Sequence, residues 1–426
     1  MSENKKLVPK RRFKEFENTD VWKQSELGEV LSGMYNGQTP SRFSAENWGG
    51  KINWLTSGEL NQGVVMKTIE KITPIGQKDA NLRVVPEGTF IMAITGLEAA
   101  GTRGSCARLG IPTTLNQSCM ALFPKENLLD SGFLFQWYKK IGESYGLKYT
   151  QGTKQQSYNA ELVKILPIIL PNVAEQKEIS NFLDNLDQTI AFQQRKLEKM
   201  KSMKSAYLSE MFPAEGERKP KRRFPGFTDD WEPRELGKTN TFFTDGNYGE
   251  SYPKESDMSD SISGVPFLRG SDFKDGYLDS SEANFITKEK HSKLTSGHIQ
   301  TDDIVLAVRG SLGTLGYATE ANQGWNINSQ LAIIRTDKQE LLGSFLVQFL
   351  LSGKGQNELL SRNTGSALKQ LPIKQLKDIP VPITSIEEQL KIGQFFTNLD
   401  QTIAFQQQKL EKLQNIKKAY LNEMFI

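Results

Sequence analysis

The sequence predicts an α+β protein made of one unit used twice. Two α+β inner domains are separated by two long helices packed as an antiparallel coiled coil, pseudo-twofold from internal duplication. Three observations predict this. Residues 185–212, NLDQTIAFQQRKLEKMKSMKSAYLSEMF, return at 398–425 as NLDQTIAFQQQKLEKLQNIKKAYLNEMF. The shift is 213 residues, half of the 426-residue chain, and 21 of the 28 positions are identical. In both copies the apolar positions step alternately by four and three, the spacing of a helical seam. Ahead of each copy, short β-branched runs are broken by Gly, Asn and Pro, the pattern of twisted, mostly antiparallel strands with long loops.

Each copy opens with a basic leader. Lys-Arg-Arg-Phe stands at 10–13 and at 221–224. Trp22 with Leu27-Gly28, and Trp231 with Leu236-Gly237, follow it. The recurrence predicts a shared job, the packing of Phe13 and Phe224 against the long helices. Phosphate contact and a solvated linker are the other readings of its cations.

The inner domains match weakly. Trp54-Leu55-Thr56-Ser57-Gly58-Glu59 aligns with Phe267-Leu268-Arg269-Gly270-Ser271-Asp272, and 90–96 aligns with 304–310. Gly101-Thr102-Arg103-Gly104 aligns with Gly313-Thr314-Leu315-Gly316. Helices are expected over 131–145 and 340–360. The exits, ILPIILPNVAEQKEI (165–179) and DIPVPITSIEEQLKI (378–392), are punctuated by proline, which disfavours helix just upstream. The long helices therefore start after Pro171 and Pro382. Glu175 and Glu388 fall in their first turns, where the helix dipole favours acid.

These signals divide the chain into a leader and first inner domain (1–172), a central helix (173–212), a leader and second inner domain (213–384) and a C-terminal helix (385–426). A helix of about 38 residues is a rod of roughly 57 Å. The centre of the seam is Ile190, Gln193 and Leu197 in one copy and Ile403, Gln406 and Leu410 in the other. A symmetric antiparallel register sets Gln193 against Leu410 and Gln406 against Leu197. Polar residues in a seam cost stability and fix register.

Composition narrows the function classes. A net charge of +3 and a pI near 8.5 neither require nor exclude nucleic acid. Cys106 and Cys119 make no disulfide framework and lack the partners of a zinc site, which fits a reducing, cytoplasmic compartment. The N-terminus lacks the apolar core of a signal peptide, and no run approaches the roughly 20 apolar residues of a membrane span. His291 and His298 both lie in the second half and are expected at the surface. No dinucleotide fingerprint, phosphate loop, zinc-protease motif or nucleophile elbow occurs. The expectation is a binding protein with no catalytic residues, no metal and no cofactor.

The paired motifs, in order, resemble the specificity subunit of type I restriction-modification systems. The carrying residues are Trp22, Leu27, Gly28, Pro171, Glu175, Gln176, Ile179, Leu186, Asp187 and Ile190. In the second copy they are Trp231, Leu236, Gly237, Pro382, Glu388, Gln389, Ile392, Leu399, Asp400 and Ile403, with the proline two positions further from Glu-Gln. The resemblance spans essentially the whole chain. It implies that each inner domain is a target recognition domain reading one half of a bipartite site in double-stranded DNA. It implies that the helices set the spacer and dock two methyltransferase (M) subunits, with two restriction (R) subunits completing the complex. Methylation and cleavage then belong to those partners. The alternative is a non-catalytic coiled-coil adaptor without DNA sequence specificity.

Base reading needs side chains with paired donors and acceptors on loops that reach a groove. The first domain offers Thr56, Ser57, Arg103 and the loop residues Thr153, Lys154, Gln155 and Gln156. The second offers Arg269, Ser271, Arg309, Ser366, Lys369 and Gln370. Two readers on one rod pair predict half-sites about one helical turn apart, roughly 34–36 Å.

Overall fold

The computed structural model describes residues 7–98, 101–151, 156–365 and 369–426. Contacts divide the chain into two units, one running to Gln194 and including Lys409–Ile426, the other Arg195–Gln408.

In the first unit a five-stranded sheet runs in the order Leu31–Asn36, Cys119–Pro124, Phe90–Ala93, Cys106–Leu109, Gly63–Val65. The first four are antiparallel neighbours and the last is parallel. A smaller sheet holds Glu70–Ile72, Trp48–Leu55 and Thr114–Leu115. The helix Ser131–Tyr149 is longer than its apolar pattern suggested, and Asp130 caps it by accepting the Phe133 N–H at 2.8 Å. Its Tyr138 meets Phe90 of the central strand edge-on at 5.7 Å.

The second unit repeats this plan. Its larger sheet has six strands, Phe242–Asp245, Leu331–Arg335, Ile304–Ala307, Leu315–Tyr317, Tyr277–Leu278 and Phe273–Lys274. Its smaller sheet again pairs a strand after the loop, Val265–Leu268, in parallel with a short one, Asn326–Ile327. The helix expected over 340–360 is two helices, Gly343–Leu351 and Gly353–Ser361. Ser352 breaks them, because its side chain caps the second by accepting the Gly355 N–H at 3.1 Å.

The Trp…Leu-Gly segments and the exits are neighbours in space. Lys23–Glu26 pairs antiparallel with Pro167–Leu170, and Glu232–Glu235 with Pro380–Ile383. The glycine of each Leu-Gly pair permits this crossing. A Cβ on Gly28 would lie 3.0 Å from the Cβ of Lys164, and one on Gly237 would lie 2.7 Å from that of Lys377.

The long helices run Val173–Glu210 and Ile386–Met424. Gln193, Leu197, Gln406 and Leu410 are buried, while Ile190 and Ile403 are half-buried. Within the first unit, Phe182 meets Tyr420 at 4.7 Å and Asp187 pairs with Lys417. Rising numbers meet falling ones, so these helix segments are antiparallel. The second unit repeats this with Phe395 on Tyr207 at 5.1 Å and Asp400 paired with Lys204 at 2.6 Å. Lys204 and Lys417 are therefore ion-paired, each to the aspartate that follows Leu399 or Leu186 on the other long helix. In the first unit Phe425 packs against Phe133 at 5.1 Å and Trp22 at 6.5 Å. In the second, Phe212 packs against Phe345 at 5.5 Å and Trp231 at 6.1 Å.

The two histidines, expected at the surface, are partly withdrawn from it. Both are half-buried, with ring centroids 4.8 Å apart, and each engages the buried amide of Asn326. A pair of rings can satisfy a buried amide that solvent no longer reaches.

Candidate nucleic-acid interface

The turn after the small-sheet strand is built alike in both units. Thr56 precedes a short 3-10 helix, and its N–H and hydroxyl donate to Glu59 at 3.0 and 2.9 Å. In the second unit, the Arg269 N–H donates to Asp272 at 2.8 Å, and its guanidinium reaches both oxygens of the same carboxylate. Ser271 donates to Asp272 at 2.9 Å. Each turn hangs on a buried acid three residues on, and Ser57 and Arg269 remain half-exposed above it. Thr56 and Ser271 spend their hydroxyls on the turn itself.

The loops before the exits also correspond. Gln151 and Ser157 bridge in one, Thr364 and Gln370 in the other. Each then bridges to the second residue past the central strand, Ser157 to Thr95 and Gln370 to Arg309. Thr153, Lys154, Gln155 and Ser366 lie outside the described residues, and Lys369 is exposed.

The structure joins Arg103 to Gln156, with both Nε and Nη2 at 3.3 Å from its Oε1, and Nη2 donates to the Glu98 carbonyl at 2.7 Å. Arg309 joins Gln370 at 3.4 Å, the Tyr248 hydroxyl at 2.8 Å and the Ser329 carbonyl at 2.7 Å. Tyr248 is a member of this cluster that sequence reasoning missed. Burial pushes its hydroxyl pKa up and Arg309 opposes that shift. A second feature missed is a pair of Asx turns. The Asn116 side chain accepts the Ser118 N–H at 3.1 Å, and Asn328 accepts the Gln330 N–H at 2.9 Å. They expose Gln117 and Gln330 beside the central strands. The signal was present as Leu-Asn-Gln-Ser and Ile-Asn-Ser-Gln in matching places.

Arg12 and Arg223 of the leaders are committed to the fold. The Arg12 guanidinium forks onto Glu175 with two 2.7 Å contacts, and Trp22 Nε1 donates to the same carboxylate at 3.3 Å. Arg223, Glu388 and Trp231 repeat this at 2.6, 2.8 and 3.1 Å. Both carboxylates are fully buried. Hydrogen bonding to them raises both guanidinium pKa values. Phe13 and Phe224 pack on the long helices as expected, each 5.9 Å from Phe182 or Phe395. Arg11 and Arg222 pair with Glu423 and Glu210 near the helix ends. Among the described residues no acidic, His or Cys cluster could hold a metal ion, and no helix is long and apolar enough to cross a membrane.

The sequence profile described as "Type I restriction modification DNA specificity domain" matches residues 19–202 and again 229–415. The type I restriction enzyme MjaVIII specificity subunit of Methanocaldococcus jannaschii is 22% identical over 420 residues, covering 96% of this chain and 94% of that protein. The EcoR124I/EcoR124II specificity subunit of Escherichia coli is 26% identical over 167 residues, 39% of this chain and 40% of that one. Among solved structures, the type I restriction-modification S subunit from M. genitalium superposes with a TM-score of 0.63 at 18% identity, covering 99% of both chains.

Proposed function

The chain belongs to the type I restriction-modification DNA specificity family, and from that premise we propose that it is the DNA-reading subunit of such a complex. Each inner domain, 1–172 and 213–384, reads one half of a bipartite site. The helices set the spacer and dock two methyltransferase subunits, and restriction subunits join through them. The buried Gln193 and Gln406 fix the helix register.

One observation carries the two-reader proposal. The two units hold matching positions in matching frames and fill them with different side chains. Thr95 stands where Arg309 stands, Ser157 where Gln370 stands, and Thr56 where Arg269 stands. Meanwhile the Arg–Glu–Trp latch is the same in both. Equal frames with unlike donors and acceptors suit two different half-sites. The non-specific adaptor has no use for that difference.

The test is to co-express the chain with the methyltransferase subunit of its source and to map methylated adenines by single-molecule sequencing. The expected result is one split motif with a fixed spacer. A continuous motif would leave one domain as the only reader, and no methylation from an assembled complex would favour the adaptor.

A further inference from the structure

One turn is built twice, hydrogen bond for hydrogen bond, and carries the same two side chains in opposite order. It joins the small sheet of each unit to the large one. Leu55 pairs in parallel with Leu115, and Leu268 with Ile327. The next residue is a buried asparagine, Asn116 or Asn328. Its N–H donates to the Leu55 or Leu268 carbonyl, at 2.9 Å in both units. Its carbonyl accepts the N–H of Cys119 or Leu331, at 3.2 Å in both. Cys119 then pairs with Ala93 and Leu331 with Ala307, so the large sheets fix the same register. Between these ends stand Gln117-Ser118 in one unit and Ser329-Gln330 in the other. Both glutamines are exposed.

The turn stands among the candidate base readers of its own unit. In the first unit Asn116 hangs on Leu55, the residue before Thr56. There the Ser118 carbonyl accepts the N–H of Ile94, the residue before Thr95, at 2.9 Å. In the second unit the Gln330 carbonyl accepts the Val308 and Arg309 N–H groups at 2.9 and 3.2 Å. The Arg309 guanidinium donates to the Ser329 carbonyl at 2.7 Å. A Cβ on Gly270, the neighbour of Arg269, would lie 4.0 Å from the Gln330 side-chain oxygen.

The frame consumes its own polar groups and leaves the amides. Each asparagine spends its side-chain oxygen on the turn, accepting the Ser118 N–H at 3.1 Å or the Gln330 N–H at 2.9 Å. Each glutamine oxygen is steadied by one bond. The Thr39 hydroxyl donates to that of Gln117, and Asn328 Nδ2 donates to that of Gln330 at 3.4 Å. A carboxamide oxygen keeps a second lone pair, and its nitrogen carries two N–H groups. Each turn therefore offers an acceptor and a donor side by side, on a backbone pinned at both ends. That pair matches the N6–H donor and N7 acceptor that distinguish adenine in the major groove. The crossing between sheets needs the asparagine and has no need of a glutamine. Each unit nevertheless presents one, at a different position of the same frame.

Resting on the DNA-reading proposal above, we infer that Gln117 and Gln330 are specificity-determining residues, each holding its carboxamide against the major-groove edge of an adenine in its own half-site. The inverted order sets the amide on different residues of one frame, which suits unlike half-sites.

The experiment uses the full chain assembled with its methyltransferase subunit. Competition binding is measured against duplexes of the mapped target that carry each base in turn at each position. Gln117→Ala should lower the preference for adenine about tenfold at one position of the first half-site, with the second half-site unchanged. Gln330→Ala should do the same at one position of the second. A glutamate only accepts hydrogen bonds, so Gln117→Glu should move the choice at that position from adenine toward cytosine, whose N4 donates. Both glutamines are exposed, so assembly and the thermal midpoint should stay as in wild type. The proposal is overturned by full wild-type base preference in both alanine variants. It is overturned equally by even weakening on every duplex, which would mark a phosphate contact, or by lost preference at a position that holds no adenine. Wild-type complex that prefers no duplex over another would instead sink the DNA-reading proposal itself.

Discussion

At the residue scale the chain separates cations that hold the fold from cations left for a ligand. Arg223 and Glu388 are almost out of solvent, so Glu388→Leu leaves a buried charge unpaired. A loss of about 3–5 kcal/mol is expected in urea unfolding. Adding Arg223→Met should recover part of it, because the desolvated charge is gone. Arg309 is different, since its partners are a hydroxyl, a carbonyl and an amide rather than a carboxylate. Its charge remains available. Arg309→Ala should relax base choice at one position of the second half-site, by about 1–3 kcal/mol of discrimination. Genome-wide methylation maps would show this, and uniform weakening at all sequences would mark a phosphate contact.

At the element scale, each long helix ends in a core. Phe425 is buried against Trp22 and Phe133, so Phe425→Ala should cost about 3–5 kcal/mol. Hydrogen exchange should show the loss in the first unit, with Arg195–Gln408 unchanged. Asp400 of the second motif adds a pH dependence. Burial pushes the Asp400 carboxyl above its ordinary value, against the opposing pull of Lys204. The folded state then holds this proton more tightly than the unfolded state does. Its contribution to stability falls as pH rises from the ordinary carboxylate range through the raised value. Asp400→Asn should remove that slope, read as urea midpoints at about pH 4 and about pH 6. The long helices and the α+β character were legible: the exit prolines and the four-three seam located the helices, and β-branched runs indicated the strands. The break at Ser352 was not, because a serine side chain bonding its own turn leaves the apolar pattern intact.

At the scale of the whole molecule, the proposed function rests on two readers and the helices that join the repeats. Lengthening both helices by seven residues within the seam keeps the apolar phase. Methylation mapping of that variant should show a longer spacer with both half-sites unchanged. Altered half-sites would remove the helices from the role of ruler. The latch ties each inner domain to its own long helix. Arg12 and Glu175 are 163 residues apart in sequence, yet they tie the leader to the first turn of the helix that follows the domain. Every inner domain is thereby closed at its own base, and its loops are free to diverge.

The sequence by itself determined the duplication, the long helices with their seam, the α+β inner domains and the contrast between kept helices and diverged loops. These are periodic or repeated features, and a period is visible without knowing what touches what. Only the tertiary structure decided which charges are consumed. Nothing local in Lys-Arg-Arg-Phe says that its third residue meets a buried glutamate, or that a terminal Met-Phe enters a core. It also decided that Ser157 and Gln370 are counterparts, each bridged to the matching residue of its unit, Thr95 or Arg309. Ser157 and Gln370 share a position in the fold and no sequence, so only the bridged backbone could match them.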